Sequence, residues 1–531
     1  MQALPAFRSY VPRYVRIFLL LAFSIVFQFS GTVYLNLTGN IAGAMQMLRE
    51  DLSFLFQMTM VGITLVYPLL FRLKLRFTSQ QIIIGCALLT AAMILVTLCT
   101  ESIALLAVAS LILGAAKMLG TFETLVSLQL IITPNRDYGV FFSVALGLVL
   151  LCGQISGIWA VHLAYESDWT AVYRIMVAAN VIMAAVAMVI MRHVRVAKML
   201  PLYGIDWTGA CLWGGMLVSV TYIFSYGQVL DWWDSTRIQA ATVMATVLTL
   251  LAVARMLVNR RPYISPHAFT IRSVNTAILI ILMLQPFLSA SGSVLGPFTS
   301  GILRMDDINI ANLNWPICYG LALGAVFSYY WFLKVSGSFK VFFITGFASL
   351  TGYYALVYFV LGGYGEASVL WLPYFLRGFG HILVFVGVGK YITRGVPLEI
   401  FTQVLCYLAM ARNAIGSLIP ASLISYAQYI RTADFHTKLA SRIDEINPGA
   451  SSLYQKTIAK SLHSGFGTTD AAASAGKALF ITVNQQAVLL AGKESFGLMA
   501  SSGILIIVGL AAMHFSRPFI RKLPSWQKYA A

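Results

Sequence analysis

Charge is what this sequence lacks. Only 10% of its 531 residues are charged and 59% are hydrophobic, whereas an ordinary soluble domain carries roughly a quarter charged residues. That balance excludes a soluble enzyme, a coiled coil and a disordered chain. Acid is scarcer still: 19 Asp and Glu stand against 36 Lys and Arg, for a net charge of +17. A basic excess can mark a nucleic-acid binder, but membrane proteins gather Lys and Arg in the loops of one side. The second reading fits a chain of mean hydropathy +0.80, and no nucleic-acid partner is expected. Cysteine frameworks are missing too. Cys86, Cys99, Cys152, Cys211, Cys318 and Cys406 each lie inside an apolar run, without disulfide or metal-ligand spacing. The seven histidines show no ligand spacing either. No metal, no cofactor and no enzymatic constellation of clustered His, Asp or Cys is expected.

What the chain has is long apolar runs. A membrane-spanning helix needs ~20 apolar residues, and about fourteen such stretches follow one another, from 15–40 through 399–425 to 496–516. The expected fold class is an all-α polytopic membrane protein, with the lipid bilayer as its surroundings. The N-terminal MQALPAFRSYVPRYVR is basic, and the apolar run from Ile17 is too long for a signal peptide and lacks a small-x-small cleavage site. It reads as an uncleaved first span. Fourteen spans put both termini on one side. The loops of that side hold Arg72, Lys74, Arg76, Arg192, Arg195 and Lys198 among roughly 22 basic residues, while the opposite short loops hold only Arg49, Arg237 and Arg304. By the positive-inside rule both termini are cytoplasmic.

One outer connection is exceptional. Residues 426–495 are polar and charged, expected to carry no span of their own, and Lys477–Phe496 has apolar residues at helical spacing that predict an amphipathic helix.

Several motifs carry a family resemblance. GIDWTGACLWGGMLVSVTYIFSYGQVLDWWDS supplies Asp206, Trp207, Gly209, Gly227, Trp232 and Trp233; GLVLLCGQISGIWAVHLAYESDWTAVY supplies Gly147, Gly153, Gly157 and Trp169. RNAIGS contributes Arg412, Gly416 and Ser417, and NQQA opens the segment before Phe496. Together they resemble the fourteen-span drug:proton antiporters (EmrB/QacA type) of the major facilitator superfamily. The resemblance implies two six-helix halves with an inserted span pair: 1–198, then 199–262, then 263–531 with the outer loop 426–495. It implies a proton-coupled antiporter exporting small amphipathic compounds or drugs across a bacterial inner membrane. The alternatives are an exporter of one endogenous metabolite or siderophore-like compound, and a transport-inactive scaffold or sensor. It also implies a HlyD-type periplasmic adaptor and a TolC-type outer-membrane channel as partners. The departures are specific. Gly31 stands where the family carries a span-one acid, and Phe71, Leu75, Thr78 and Ser79 replace polar or glycine positions of its 2–3 loop.

Embedded charge marks the candidate site, because ionisable groups in hydrocarbon are costly and functional by default. Glu123 is the one acid expected well inside a span, and it is the expected proton carrier; the alternative is a fixed buried ion pair holding the halves together. Lys117 lies six residues from Glu123, a rotation of ~600° that puts the two on different helix faces. Glu123 and Lys117 are expected to face Arg377 and His381 across a central cavity, with Arg412 a further ion-pair candidate. Tyr34, Asn36, Phe122 and Gln129 are candidate cavity-lining residues. Gly147, Gly153 and Gly157 form a small-residue stripe that lets helices approach closely.

Overall fold

The structure is a computed structural model that describes residues 7–8, 10–31, 37–132, 138–193, 204–335, 338–360, 367–394, 396–397, 400–443 and 448–513. Tyr34 and Asn36 lie outside the described residues. Among the described residues, thirteen helices are long and apolar enough to cross a membrane. One more, α1 (Arg13–Phe29), has 17 residues, at the lower limit for a crossing. Backbone polar groups in lipid must be satisfied within the segment, so apolar runs of this length fold as helices.

The first group comprises α1, α2 (Arg49–Val66), α3 (Ser79–Cys99), α4 (Ile103–Ile132), α5 (Tyr138–Glu166) and α6 (Trp169–Ile190). A hairpin follows, α7 (Trp207–Tyr226) and α8 (Thr236–Val258), which rests on α2 through α7. The second group runs through α9 (Arg272–Gly296), α10 (Trp315–Tyr330), α11 (Phe339–Val360), α12 (Trp371–Ile392) and α13 (Phe401–Ala409). A π-helical turn, Met410–Ala414, joins α13 to α14 (Leu418–Ala440), and α15 (Pro448–His463) and α16 (Thr468–Ala512) complete the order.

The same device locks a helix pair in each group. A Cβ on Gly62 of α2 would strike the Leu111 carbonyl of α4, and one on Gly114 of α4 would strike the Thr59 carbonyl of α2. In the second group, Gly320 of α10 meets the Phe375 carbonyl of α12, and Gly378 of α12 meets the Ile317 carbonyl of α10. Backbones that touch in this way need glycine at all four positions. The two groups meet where α5 packs on α10 and α12, and where α2 packs on the Met410–Ala414 turn. Cys406 Sγ donates to the Thr64 carbonyl at 3.5 Å, and His162 Nε2 lies 2.9 Å from Asn312 Oδ1.

The small-residue stripe of α5 divides. Gly147 faces α10, where a Cβ would come within 2.9 Å of Ala325 Cβ, but Gly153 has open space around it. Six residues turn the helix by ~600°, so the two glycines cannot share a face. Gly157 is buried.

The outer connection also differs from expectation. Its described residues are mostly helical: α14 runs to Ala440, α15 spans 16 residues, and α16 is a single helix of 45. At 1.5 Å per residue α16 is ~68 Å long, about twice the ~30 Å hydrocarbon thickness. The amphipathic segment Lys477–Phe496 is therefore the middle of one long helix that becomes the last span. Packing explains the continuity: α16 contacts α14 and α15 along its outer part, Ser495 Oγ bonds the Gln428 amide at 2.8 Å, and the His436 and Phe480 rings stand 5.1 Å apart.

Candidate functional site

Between the two groups lies a cavity of about 170 Å³, lined by α4, α5, α12 and α13. A single water needs ~10–15 Å³ of such space, so a small organic molecule fits. On α4 the lining residues are Met118, Phe122, Leu125, Val126 and Gln129, spaced as one helix face. Phe122 and Gln129 thus sit on the cavity wall. Opposite them stand Phe141, Phe142 and Phe385, with Tyr67 and Tyr138 closing the sides. Seven of the nineteen described lining residues are aromatic, and most of the others are aliphatic.

Among the described residues, one charge enters that wall. Arg412 belongs to the π-helical turn Met410–Ala414, a break of the kind that proteins use to re-aim a side chain at a functional site. Its guanidinium lies over the Phe385 ring, 4.0 Å from the centroid. Gly416, from the same motif, packs its Cα against the Ala411 carbonyl, where no side chain would fit. The Arg-Gly pairing of RNAIGS is accordingly a local arrangement that unwinds the helix and presents the arginine.

Along α12, Arg377, His381, Phe385 and Gly389 recur every fourth residue, which places them on one face. Phe385 and Gly389 line the cavity, and the His381 ring stands 6.1 Å from that of Phe385. Arg377 lies one turn further, within electrostatic reach of Tyr353, Tyr354 and Tyr374.

Lys117 and Glu123 do not face these residues as a pair. Lys117 is buried and donates to the Gln28 carbonyl of α1 at 3.0 Å. Glu123, fully buried, is held by Lys74 Nζ at 2.9 Å and by Ser79 Oγ at 2.5 Å. The expectation that Glu123 looks across the cavity at Arg377 and His381 is corrected here. Phe122 takes the cavity face of α4, so the next residue turns ~100° away, toward the α2–α3 connection. Thr78 and Gln81 fix that connection with a capping box, Gln81 N donating to Thr78 Oγ1 at 3.2 Å and Thr78 N to Gln81 Oε1 at 3.1 Å. Ser79 opens α3 at the cap and so presents its hydroxyl. The pairing of Lys74 and Ser79 with Glu123 is not legible in the sequence, because it spans more than forty residues, beyond any helical period.

A second cavity, of about 920 Å³, opens at the other end of the bundle, where Glu50, Asp231 and Asp234 share a wall with Trp232, Trp233 and Tyr426. Acid is concentrated there, and none is among the described lining residues of the first.

Asp206 also acts locally. It caps α7 by accepting from Gly209 N at 3.1 Å, and Arg255 of α8 reaches it at 2.7 Å. A Cβ at Gly209 would collide with its carboxylate. Burial pushes the Asp206 carboxyl up, but hydrogen bonds from Arg255, the Gly209 amide and Asn259 outweigh it and hold the group below the usual range.

No protein-family profile matches the chain, and no curated protein sequence matches it. Solved structures do. A peptide transporter POT in complex with alafosfalin superimposes with a TM-score of 0.55 at 14% identity, over 95% of this chain and 98% of that one. The nucleoside transporter NupG gives 0.51 at 11% identity, over 95% and 100%. The fold is that of the major facilitator transporters. At such identities the likeness concerns the fold alone. The thirteen apolar helices found among the described residues, arranged in this fold, make the chain an integral membrane protein.

Proposed function

We propose that this facilitator is a proton-coupled efflux transporter for small amphipathic compounds, set in a bacterial inner membrane with both termini cytoplasmic. The observation that carries this reading is the largely apolar, aromatic-rich cavity between the two helix groups, with Arg412 as the single charged side chain among its described lining residues. Apolar walls with a few placed polar groups suit an amphipathic ligand. The likeness of GIDWTG and RNAIGS to the fourteen-span drug:proton antiporters supports export, and so does the hairpin α7–α8 following the sixth helix. Rocking of residues 1–198 against 263–531, with 199–262 as the inserted pair, would expose the cavity alternately to each side.

Glu123 is the proton carrier in this proposal. Protonation removes the charge that holds Lys74, and with it the attachment of the α2–α3 connection to α4. A contact that depends on protonation couples proton passage to helix movement. The outer helices α14 to α16 form the docking surface for a HlyD-type adaptor and, through it, a TolC-type channel.

The test is dye export from proteoliposomes under an imposed pH gradient. The native chain should drive uphill export, and Glu123→Gln should abolish it while downhill counterflow survives. Uphill export by Glu123→Gln with a normal pH dependence would make the carboxyl structural. Deleting residues 440–475 should abolish adaptor crosslinking with transport retained.

A further inference from the structure

The ion pairs among the described residues are Lys74–Glu123, Arg255–Asp206 and Arg431–Glu494. None of them involves Lys117, Arg377 or Arg412. Around the cavity stand cations that no carboxylate among the described residues pairs with. Arg412 is the one that borders the cavity itself. Its flat face is taken up by Phe385, which leaves the in-plane N–H edges of the guanidinium free for a planar, two-oxygen acceptor. No described residue accepts a hydrogen bond from it.

We propose that this cavity binds organic anions: a carboxylate or sulfonate pairs with Arg412 while an aromatic or alkyl body rests against Phe122, Phe141, Phe142 and Phe385. The proposal rests on the transporter reading above and narrows its substrates to one sign of charge. The counter-charge that the described residues do not supply is the one the ligand brings. An aliphatic or aromatic cation would meet an uncompensated arginine in a low-dielectric site, which is a built-in rejection. A neutral analogue would leave the guanidinium edges unmatched. The stripe Phe385, His381, Arg377 continues from the cavity toward the opposite end of α12, so an anion leaving Arg412 next meets a histidine and a second arginine. The acidic wall of the distant second cavity lies at that far end and does not reach the first.

The experiment uses the full chain in lipid nanodiscs and three probes of one shape: naphthoate, naphthamide and naphthylmethylamine. Calorimetric titration should give naphthoate an affinity at least about tenfold above both others, the usual effect of one hydrogen-bonded charge pair. Arg412→Gln should bring naphthoate and naphthamide to within about twofold of each other, and Arg412→Lys should retain part of the preference. Should Arg412→Gln fail to fold, the probe series on the native chain and Arg412→Lys decide the matter. Absent naphthoate binding, equal binding of the three probes, or a preference that survives Arg412→Gln would overturn the proposal. Proteoliposome uptake of the same probes separates it from the transporter reading. Selective binding of naphthoate without its transport removes the transporter reading and keeps the anion site; transport of all three without charge preference does the reverse.

Discussion

Lys117 occupies the space beside Gly31. A Cβ built on Gly31 would fall 2.6 Å from Lys117 Cδ and 2.7 Å from its Nζ, while the same amine donates to the Gln28 carbonyl one turn earlier. The glycine just past the end of α1 is therefore what admits the lysine, and the space a side chain at this position would take is filled by a base from α4.

This relationship makes Gly31 selective about its replacements. The colliding atoms are the far end of a flexible side chain, so Gly31→Asp should be accommodated, with its carboxylate meeting Lys117 as a buried pair of nearly neutral net effect. Gly31→Ile brings bulk without charge and should destabilise the chain by roughly 1–3 kcal/mol. Thermal unfolding in detergent checks this: the Asp variant should melt above the Ile variant.

The Lys74–Glu123 pair predicts a strong non-additivity. Lys74→Met leaves a buried carboxylate unanswered and should cost about 3–5 kcal/mol. The double variant Lys74→Met/Glu123→Met should recover most of that loss, because two apolar side chains of similar size replace the pair. Denaturant unfolding of the four proteins gives the coupling energy. Additive losses would show that the two groups do not interact.

Helix contact at glycine predicts matched failures in the two halves. Gly62→Val and Gly320→Val each drive a side chain into a carbonyl of the partner helix, and each should lower stability by at least about 1–3 kcal/mol. Gly153→Val, in open space, should be tolerated. Yield of monodisperse protein and melting temperature distinguish the three.

Asp206 predicts an acid limb in stability. Its carboxyl is depressed in the folded state, so its contribution is full above the unfolded carboxylate range and is lost as pH falls through the lower folded value. Melting temperature should decline between ~pH 4 and lower pH in the native chain. Asp206→Asn should start lower at neutral pH and decline less steeply over the same range.

Sidedness is checked by cysteine labelling. Arg260 follows α8 among the basic connections, and Ser452 lies exposed on α15. In intact cells a cysteine at Ser452 should react with an impermeant reagent and one at Arg260 should not. Labelling of both, or of Arg260 alone, would overturn the fourteen-span arrangement with cytoplasmic termini.

The sequence by itself determined the helices and singled out two residues of the cavity wall, Phe122 and Gln129. Runs of ~20 apolar residues have no alternative to helix in lipid, and the face that carries Phe122 and Gln129 follows from a period that any helix obeys. RNAIGS marked Arg412 before any coordinates did. Tertiary structure alone decided what each buried charge touches. Glu123 lies 49 positions from Lys74 and 44 from Ser79, a separation on which local periodicity is silent, so the expected partners across the cavity gave way to partners across a short connection. The reciprocal glycines of α2 and α4, and of α10 and α12, were equally hidden, because close backbone approach is a property of two helices and not of one. The continuity of α16 was hidden for a related reason: Lys477–Phe496 reads as a separate amphipathic helix, and it is packing against α14 and α15 that makes it one helix with the last span.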